Sequence, residues 1–351
     1  MKIEKLLLKN FRRFKEEEFN FSNEFNVLVG KNGSGKTTIL DAIYLLTTGK
    51  SYLTKSLENC INVNEEYFFI EGNFVDHTTD TESTYLVSIL YYKGKKEINI
   101  NKRKISTLAD LVGKIPVIFT DYSLSNLVKG LPSDRRDFIN HVLIFTDKDY
   151  YKDLLKYYSY LEKRNEYLKN GNFSMDILIF LSQEIYDLGI KIVSKRENII
   201  KEFNNLAKDF YSELFGNNSN LKIVYNPSPL KKILDSDSIL DEINRKRTLY
   251  GIHLDEIEIF NSDINLRNFA SLGEAYSIGF ILKIVEAALI FNYTNRKPIF
   301  LIDDFNSFLD EVKRSKVLSM INHMQVILTS VNMDLNKELI YKSNLMTLKD
   351  S

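Results

Sequence analysis

Gly30-Lys31-Asn32-Gly33-Ser34-Gly35-Lys36-Thr37 is a glycine-rich loop that directly follows the apolar run Phe25–Val29. Its pattern, G-x-x-x-x-G-K-T, lets successive backbone N–H groups point at a phosphate. Lys36 supplies positive charge for the β- and γ-phosphate oxygens, and the Thr37 hydroxyl can ligate Mg²⁺. Residues 38–46 carry apolar side chains at helical spacing, so the strand–loop–helix context of the motif is present. The sequence therefore predicts a nucleoside triphosphate site formed by every residue of this loop and by Thr38.

A second acidic element lies far down the chain. The apolar run at 298–302 ends in Asp303 and Asp304, a pattern typical of a buried strand that delivers carboxylates to the edge of a parallel sheet. Alone, it fits equally well a strand end with solvated acids. Paired with the phosphate loop, it predicts that Asp303 and Thr37 hold Mg²⁺ and that Asp304 orients or deprotonates the attacking water.

Two further segments fit the same kind of site. Residues 307–310, SFLD, resemble the short aspartate loop that meets the other subunit in ABC-type ATPases. The run QVILTS at 325–330 predicts another strand, whose Thr329 or Ser330 is placed to sense the γ-phosphate.

A serine-containing loop precedes the helical run at 278–289. Its residues Ser271, Gly273 and Glu274 aim N–H groups and the positive end of a helix at an anion, although a plain N-cap gives the same pattern. In ABC-type ATPases this loop completes the site of a partner subunit. We therefore predict an ATP-dependent homodimer in which these three residues contact nucleotide and Ser271 acts catalytically together with Lys36 and Asp304.

Composition sets limits on location and partners. The 351 residues include 47 basic and 47 acidic side chains, so any DNA binding must come from a local basic face and must weaken with salt. The single cysteine, Cys60, excludes an intramolecular disulfide and fits a reducing compartment. Apolar runs are too short or too interrupted for a signal peptide or membrane span. We expect a cytoplasmic protein without a membrane partner.

The chain alternates between β-rich and helical segments. Residues 1–25 predict an antiparallel hairpin, residues 67–105 a meander of short strands, and residues 257–260 a return of β structure. Ser133 is a predicted N-cap after Pro132.

Between these β segments the amphipathic patterns at 149–170 and 175–215 predict helices packed as an antiparallel arm. The predicted fold is α/β: an ABC-type P-loop ATPase head. Its lobe I, with mixed sheets and helices, comprises residues 1–120 plus 246–351, and residues 121–245 form an inserted α-helical lobe II.

Several motifs resemble the RecF family of DNA repair proteins over essentially the full chain. The run LKNFR at 8–12 is shared with the whole SMC-like branch, and we include its Arg12 among the nucleotide-binding candidates. The discriminating runs are LVGKIPVIF at 111–119, LVKGLPSDRRDF at 127–138, YSYLEKRN at 158–165, RTLYG at 247–251 with His253 and Asp255, and RNFAS at 267–271.

This resemblance implies a protein that dimerises on ATP, binds double-stranded or gapped DNA or junctions, and hydrolyses ATP slowly with Mg²⁺. It further implies a role in DNA replication, repair and the SOS response, placing RecA at gaps with the RecO and RecR mediators. Arg135, Arg136, Lys163 and Arg164 are candidate phosphate contacts. The alternative for these cations is a solvated face or an ion-paired brace.

The chain also departs from the family pattern. Leu53, Leu254 and Tyr276 stand where arginines are usual, and Glu274 replaces an amide. Fewer cations near a polyanion predict slow hydrolysis, or dependence on residues from a partner or from DNA. For His253 and Asp255, hydrogen bonding within a turn is favoured over contact with nucleotide or DNA.

Two other functions compete with this interpretation. One is a diverged ATP switch for a defence or partitioning partner, with little DNA affinity. The other, a transporter motor, is disfavoured because Thr329-Ser330 stands where a histidine is expected.

Overall fold

The computed structural model of the chain describes residues 1–76, 83–171, 174–216, 220–305, 309–331 and 343–348. The chain forms two compact units. Unit 1 comprises Met1–Ser125 and Leu272–Ser351, and unit 2 comprises Asn126–Ser271. The predicted boundaries assigned residues 246–271 to lobe I, whereas in the structure these residues pack within unit 2. No helix in the described part of the chain is both long and apolar enough to cross a membrane.

One sheet of unit 1 is antiparallel throughout. It contains the predicted hairpin and the predicted meander, both of which are confirmed. The hairpin is joined to the meander by pairing of the first strand with the fourth. In the described residues the strand order is β2-β1-β4-β5-β6-β7. Its strands are β1 (Lys2–Phe11), β2 (Phe14–Asn20), β4 (Tyr67–Asp76), β5 (Ser83–Tyr92), β6 (Lys95–Ile100) and β7 (Arg103–Lys104).

The second sheet of unit 1 is parallel, with the order β14-β3-β13-β12-β8. Strands β3, β8, β12 and β13 are buried along their whole length, as expected when both faces of a parallel sheet are covered. The apolar runs at 298–302 and 325–330 are thereby confirmed as strands. The strands are β3 (Phe25–Val29), β8 (Val117–Thr120), β12 (Ile299–Ile302), β13 (Val326–Ser330) and β14 (Asn344–Thr347).

Helices of unit 1 cover these sheets. Helix α1 (Lys36–Thr48) shares one hydrophobic core with both sheets through side chains such as Ile39 and Ile43. Helix α8 (Leu272–Thr294) is apolar around most of its circumference and accordingly buried. Helix α9 (Glu311–Ile321) precedes β13.

Unit 2 combines helices with a small antiparallel sheet of order β11-β10-β9. Its two long helices, α4 (Tyr150–Asn170) and α5 (Met175–Phe215), pack antiparallel. Arg164 near the end of α4 contacts Ser182 near the start of α5, and Asp153 near the start of α4 contacts Lys195 farther along α5. This confirms the predicted arm. Pairing of β10 with β9 explains why residues after 246 belong to this unit. The elements are α2 (Asn126–Lys129), α3 (Pro132–Thr146), α4 (Tyr150–Asn170), α5 (Met175–Phe215), α6 (Ser236–Arg245), α7 (Leu266–Phe269), β9 (Leu221–Asn226), β10 (Glu256–Asn261) and β11 (Ile264–Asn265).

The predicted N-cap at Ser133 is wrong. Helix α3 begins at Pro132, and its N-cap is Leu131, whose N–H donates to the Asp134 carboxylate at 2.8 Å. Proline is favoured at the first helical position because its fixed φ suits the helix and its missing N–H loses nothing there. Ser133 therefore lies inside the first turn.

Candidate nucleotide-binding site

Three strands of the parallel sheet end at the same edge and carry the predicted site residues there. The phosphate loop follows β3, Asp303 and Asp304 follow β12, and Thr329 and Ser330 form the end of β13. Parallel strands present their carboxyl ends together, which is where ligands bind in open α/β sheets. These elements line a cleft of about 400 Å³ in unit 1.

The phosphate loop depends on its glycines. Gly33 and Gly35 have φ of 83° and 97°, in the left-handed region that side chains rarely adopt. A Cβ on Gly35 would also meet the Phe14 ring at 2.6 Å. Gly35 is the N-cap of α1, so the loop leads directly into the N-terminus of a helix, whose positive end favours an anion.

Two polar groups of the loop are placed for a phosphate. The Lys36 Nζ donates to the carbonyl oxygens of Gly30 at 2.5 Å and Lys31 at 2.9 Å. Burial lowers the pKa of this ammonium, while Asp303 and Asp304 oppose that change. The buried Ser34 hydroxyl has no hydrogen-bond partner among the described residues. A buried donor without a partner is costly, and an anion in the loop would satisfy it.

Asp303 connects the phosphate loop to β13. Thr37 Oγ1 donates to Asp303 Oδ2 at 2.9 Å, and Thr329 Oγ1 donates to Oδ1 at 2.7 Å. Burial raises the pKa of the Asp303 carboxyl, and the hydrogen bonds from Thr329 and Thr37 oppose the rise. The structure thus brings together residues 36, 37 and 303, which are widely separated in sequence.

Asp304 has an unusual backbone conformation. Its φ is 54°, and its N–H donates to Thr329 Oγ1 at 2.8 Å. A left-handed non-glycine residue costs about 1–2 kcal/mol, and such residues cluster at functional sites. The same threonine therefore positions both carboxylate residues. Asp304 also lines the cleft.

Two adjacent arginines, Arg12 and Arg13, line the cleft, and only Arg12 was predicted from the sequence. The Arg12 guanidinium forms an ion pair with buried Asp41 of α1 at 2.9 Å and reaches Ser51 at 3.4 Å. Arg13, which was missed, donates to the Gly33 carbonyl oxygen. Its position next to Arg12 in the sequence could have identified it as a candidate. In the conformation described, Arg12 braces the start of the site while Arg13 contacts the phosphate loop.

Ser271 immediately precedes α8, and Gly273 and Glu274 lie in the first turn of that helix. The predicted loop-to-helix arrangement is therefore present. Ser277 Oγ donates to the Gly273 carbonyl oxygen at 2.8 Å. Within the described residues, Gly273 and Glu274 are not among those lining the cleft of unit 1. The aspartate loop predicted at 307–310 includes Ser307 and Phe308, which lie outside the described residues.

Two of the four candidate DNA contacts in unit 2, Arg135 and Arg164, are buried, and this corrects the prediction for them. Arg164 is fully buried in an ion pair with Glu242 at 2.5 Å and also donates to Thr248. Arg135 is buried and pairs with Glu256 at 2.8 Å. A buried charge requires partners, so these guanidiniums brace unit 2 instead of facing DNA.

Two of the four candidates remain accessible. Arg136 is half-buried and donates to the Asp255 carbonyl oxygen at 2.8 Å. Lys163 is exposed, with its ammonium over the Tyr160 ring at 5.7 Å. Only Lys163 has the solvent exposure expected of a phosphate contact.

The side chains of His253 and Asp255 form hydrogen bonds within unit 2, but with residues distant in sequence and not within a turn as predicted. His253 Nδ1 lies 3.0 Å from the Tyr157 hydroxyl, and burial lowers the pKa of this histidine to about 4. Asp255 pairs with buried Arg196 at 2.6 Å and accepts from the Ser228 N–H.

The positions where family arginines are replaced differ in environment. Leu53 and Leu254 are exposed, whereas Tyr276 is buried. Two large apolar side chains therefore stand on the surface where the family pattern has cations.

Comparisons with known proteins agree with one another. Residues 2–348 match the family model described as RecF/RecN/SMC N terminal domain. The DNA replication and repair protein RecF of Clostridioides difficile (strain 630) is 31% identical, covering 96% of this chain and 93% of the relative. RecF of Chlamydia caviae is 30% identical, covering 95% of this chain and 92% of the relative.

Solved structures show the same fold. The recombination mediator protein RecF with ATP, of the RecFOR pathway, matches with a TM-score of 0.86 at 24% identity, covering 95% of this chain and 93% of that chain. An SMC head bound to the C-winged helix domain of ScpA matches with a TM-score of 0.59 at 16% identity, covering 98% of this chain and 93% of that chain. These likenesses confirm the predicted ABC-type head fold.

Proposed function

The chain belongs to the RecF family, and from that premise we propose that it is an ATP-dependent DNA-binding protein of recombinational gap repair. It dimerises when it binds ATP, and slow ATP hydrolysis regulates its binding to DNA. The observation that carries the proposal is that Lys36, Thr37 and Asp303 lie together at one sheet edge, beside a Ser34 hydroxyl that has no partner among the described residues.

ATP binds with its phosphates in the loop of residues 30–37. The backbone N–H groups of the loop and the N-terminus of α1 stabilise the negative charge, and the Ser34 hydroxyl gains a partner. Lys36 exchanges its two carbonyl acceptors for phosphate oxygens, which form stronger charge-assisted hydrogen bonds. Thr38, the third residue of α1, lines the same cleft.

Thr37 and Asp303 have the oxygen ligands that Mg²⁺ prefers. The described residues contain no group of three or more His, Cys, Asp or Glu side chains that could hold a metal alone. That fits Mg²⁺, which usually combines one or two protein ligands with waters and substrate phosphates. When bound, the ion neutralises charge on the β- and γ-phosphates.

Asp304 orients the attacking water, with its backbone fixed by Thr329. Ser271, Gly273 and Glu274 complete the nucleotide site of a second copy. Exposed Leu53 and Leu254 supply no charge where family arginines stand, so hydrolysis is slow. In the cell the dimer acts with the RecO and RecR mediators to place RecA at gaps.

The direct test is equilibrium binding of a fluorescent gapped duplex with ATP, with ADP or without nucleotide, at about 50 and about 200 mM salt. We expect binding that requires ATP and weakens steeply with salt, and that Lys36→Ala abolishes. Binding of ATP without any DNA affinity at either salt concentration would instead indicate a switch for another partner.

A further inference from the structure

The segment 93–104 concentrates positive charge on the antiparallel sheet of unit 1. Six of its twelve residues are Lys or Arg and one, Glu97, is acidic, although the whole chain has no net charge. All six cations are exposed. We call them the basic strip: Lys93, Lys95, Lys96, Lys102, Arg103 and Lys104.

The strip follows the outer edge of the sheet. Strand β7 pairs only with Asn99 and Ile100 of β6, so the β6 segment 95–98 has no outer neighbour among the described strands. The cations flank β6 at both ends. At about 3.4 Å per residue β6 spans about 17 Å, and a duplex has about five phosphates of each strand over that length of its axis.

Four cations of the strip have no acidic partner in the described part of the chain: Lys93, Lys95, Lys102 and Arg103. The Lys93 ammonium lies over the Tyr92 ring at 4.9 Å. By contrast, Lys104 pairs with Glu97 at 2.7 Å, and Lys96 donates to the Gly49 carbonyl oxygen. Burial lowers the pKa of Lys96, and the charge of Lys50, a nearby lysine outside the strip, lowers it further.

We propose that the basic strip of β6 and β7 contacts the DNA phosphate backbone. The proposal rests on the DNA-binding function proposed above and assigns its contact surface to unit 1. Charge complementarity favours a polyanion, and the proposed function makes that polyanion DNA. It also agrees with the burial of Arg135 and Arg164 in unit 2, because the cations of the strip are exposed and four of them have no acidic partner among the described residues.

The test compares two variants with equal numbers of removed charges. K93Q/K95Q/K102Q/R103Q removes the four strip cations that have no acidic partner among the described residues, and K152Q/K156Q/K169Q/K191Q removes four exposed lysines of α4 and α5. With saturating ATP and gapped duplex, we expect the strip variant to bind at least about tenfold more weakly, with a salt slope smaller by about 3. The helix variant should bind within about twofold of the original protein.

Unchanged affinity and salt slope in the strip variant, with ATP-dependent DNA binding in the original protein, would overturn the proposal. Lysines on edge strands also prevent edge-to-edge pairing; a variant that only self-associates, with DNA affinity intact, would assign the strip that role instead. Absence of DNA binding by the original protein would refute the proposed function itself.

A measurement on the unmodified protein covers the case in which the strip variant folds poorly. Lysine acetylation read by mass spectrometry compares the ATP-bound protein with and without DNA. We expect DNA to protect Lys93, Lys95 and Lys102 at least about threefold, because phosphate contact excludes the reagent, and to leave the exposed Lys156 and Lys191 unchanged. The reverse pattern would contradict the proposal.

Discussion

The phosphate-loop edge of unit 1 and the ion-pair network of unit 2 use similar cations in opposite ways. At the edge, Lys36 rests on two backbone carbonyl oxygens, beside a cleft. In unit 2, Arg164 and Arg196 are fully buried against Glu242 and Asp255. Lys36 can exchange its carbonyl acceptors for oxygens of a ligand, whereas the buried guanidiniums are held by their carboxylate partners. A cation beside the cleft is therefore available to a ligand, whereas the buried cations of unit 2 stabilise the fold.

The largest expected effect comes from breaking the network in unit 2. Arg164→Ala leaves the Glu242 carboxylate buried without its cation, so we expect the free energy of unfolding to fall by about 3–5 kcal/mol. Urea denaturation followed by circular dichroism measures the change. Lys163→Ala, next to it but exposed, should alter stability by less than about 0.5 kcal/mol.

The double variant R164M/E242L removes both charges and should recover much of that loss, since well-packed apolar residues can replace a buried pair. A stable Arg164→Ala protein with weakened DNA binding would mean that this guanidinium contacts DNA. Unit 2 would then use its arginines for ligand binding, as proposed for Lys36 at the phosphate-loop edge.

At the phosphate-loop edge, Lys36→Ala should weaken ATP binding by about a hundredfold, or about 2.7 kcal/mol, because a charge-assisted contact to phosphate is lost. Fluorescent ATP titration measures the affinity, and unfolding should be nearly unaffected. Lys50→Ala, an exposed lysine just beyond α1, serves as the control and should retain normal affinity. Equal losses in both variants would show general electrostatic attraction instead of a specific cradle.

A smaller effect depends on pH. The pKa of His253 is about 4 in the folded protein, below its ordinary value of 6.5, because burial disfavours the charged ring. As pH falls, the unfolded chain takes up the proton near pH 6.5, whereas the folded chain takes it up only near pH 4. The contribution of neutral His253 to the free energy of unfolding is therefore complete above about pH 6.5 and is lost toward pH 4. Between about pH 7 and 5 we expect a decrease of about 1–2 kcal/mol.

His253→Gln isolates this term, because other titrating groups affect both proteins equally. The variant should show a pH dependence of unfolding that is shallower by that amount. Parallel curves for the two proteins would indicate that His253 titrates normally and that its contact with Tyr157 is loose.

The sequence predicted the phosphate-loop edge well because its determinants are local. Glycine positions, the following helix and an apolar strand ending in carboxylates each specify their own geometry, and the parallel-strand rule then brings residues 37 and 303 together. The sequence did not predict that Thr329 contacts both Asp303 and the Asp304 N–H, because this arrangement depends on the backbone conformation at Asp304.

Unit 2 was harder to predict because its contacts span long sequence separations. Arg164 pairs with a residue 78 positions away and Arg135 with one 121 positions away. A basic helical segment shows the same pattern whether its cations face solvent or an acid from a distant strand. The pairing of β10 with β9 likewise could not be inferred from the short run at 257–260, which is why residues 246–271 were assigned to the other lobe.

In the proposed dimer, ATP at the phosphate-loop edge joins two copies through Ser271, and sedimentation velocity of Asp304→Asn measures this association. This variant keeps the loop and Asp303 but impairs water activation, so ATP with Mg²⁺ should hold it as a dimer, while without nucleotide it should sediment as a monomer. Adding Ser271→Arg should restore the monomer without reducing ATP affinity. A single copy at saturating ATP, or a stable dimer of the variant with Ser271→Arg, would rule out dimerisation through Ser271.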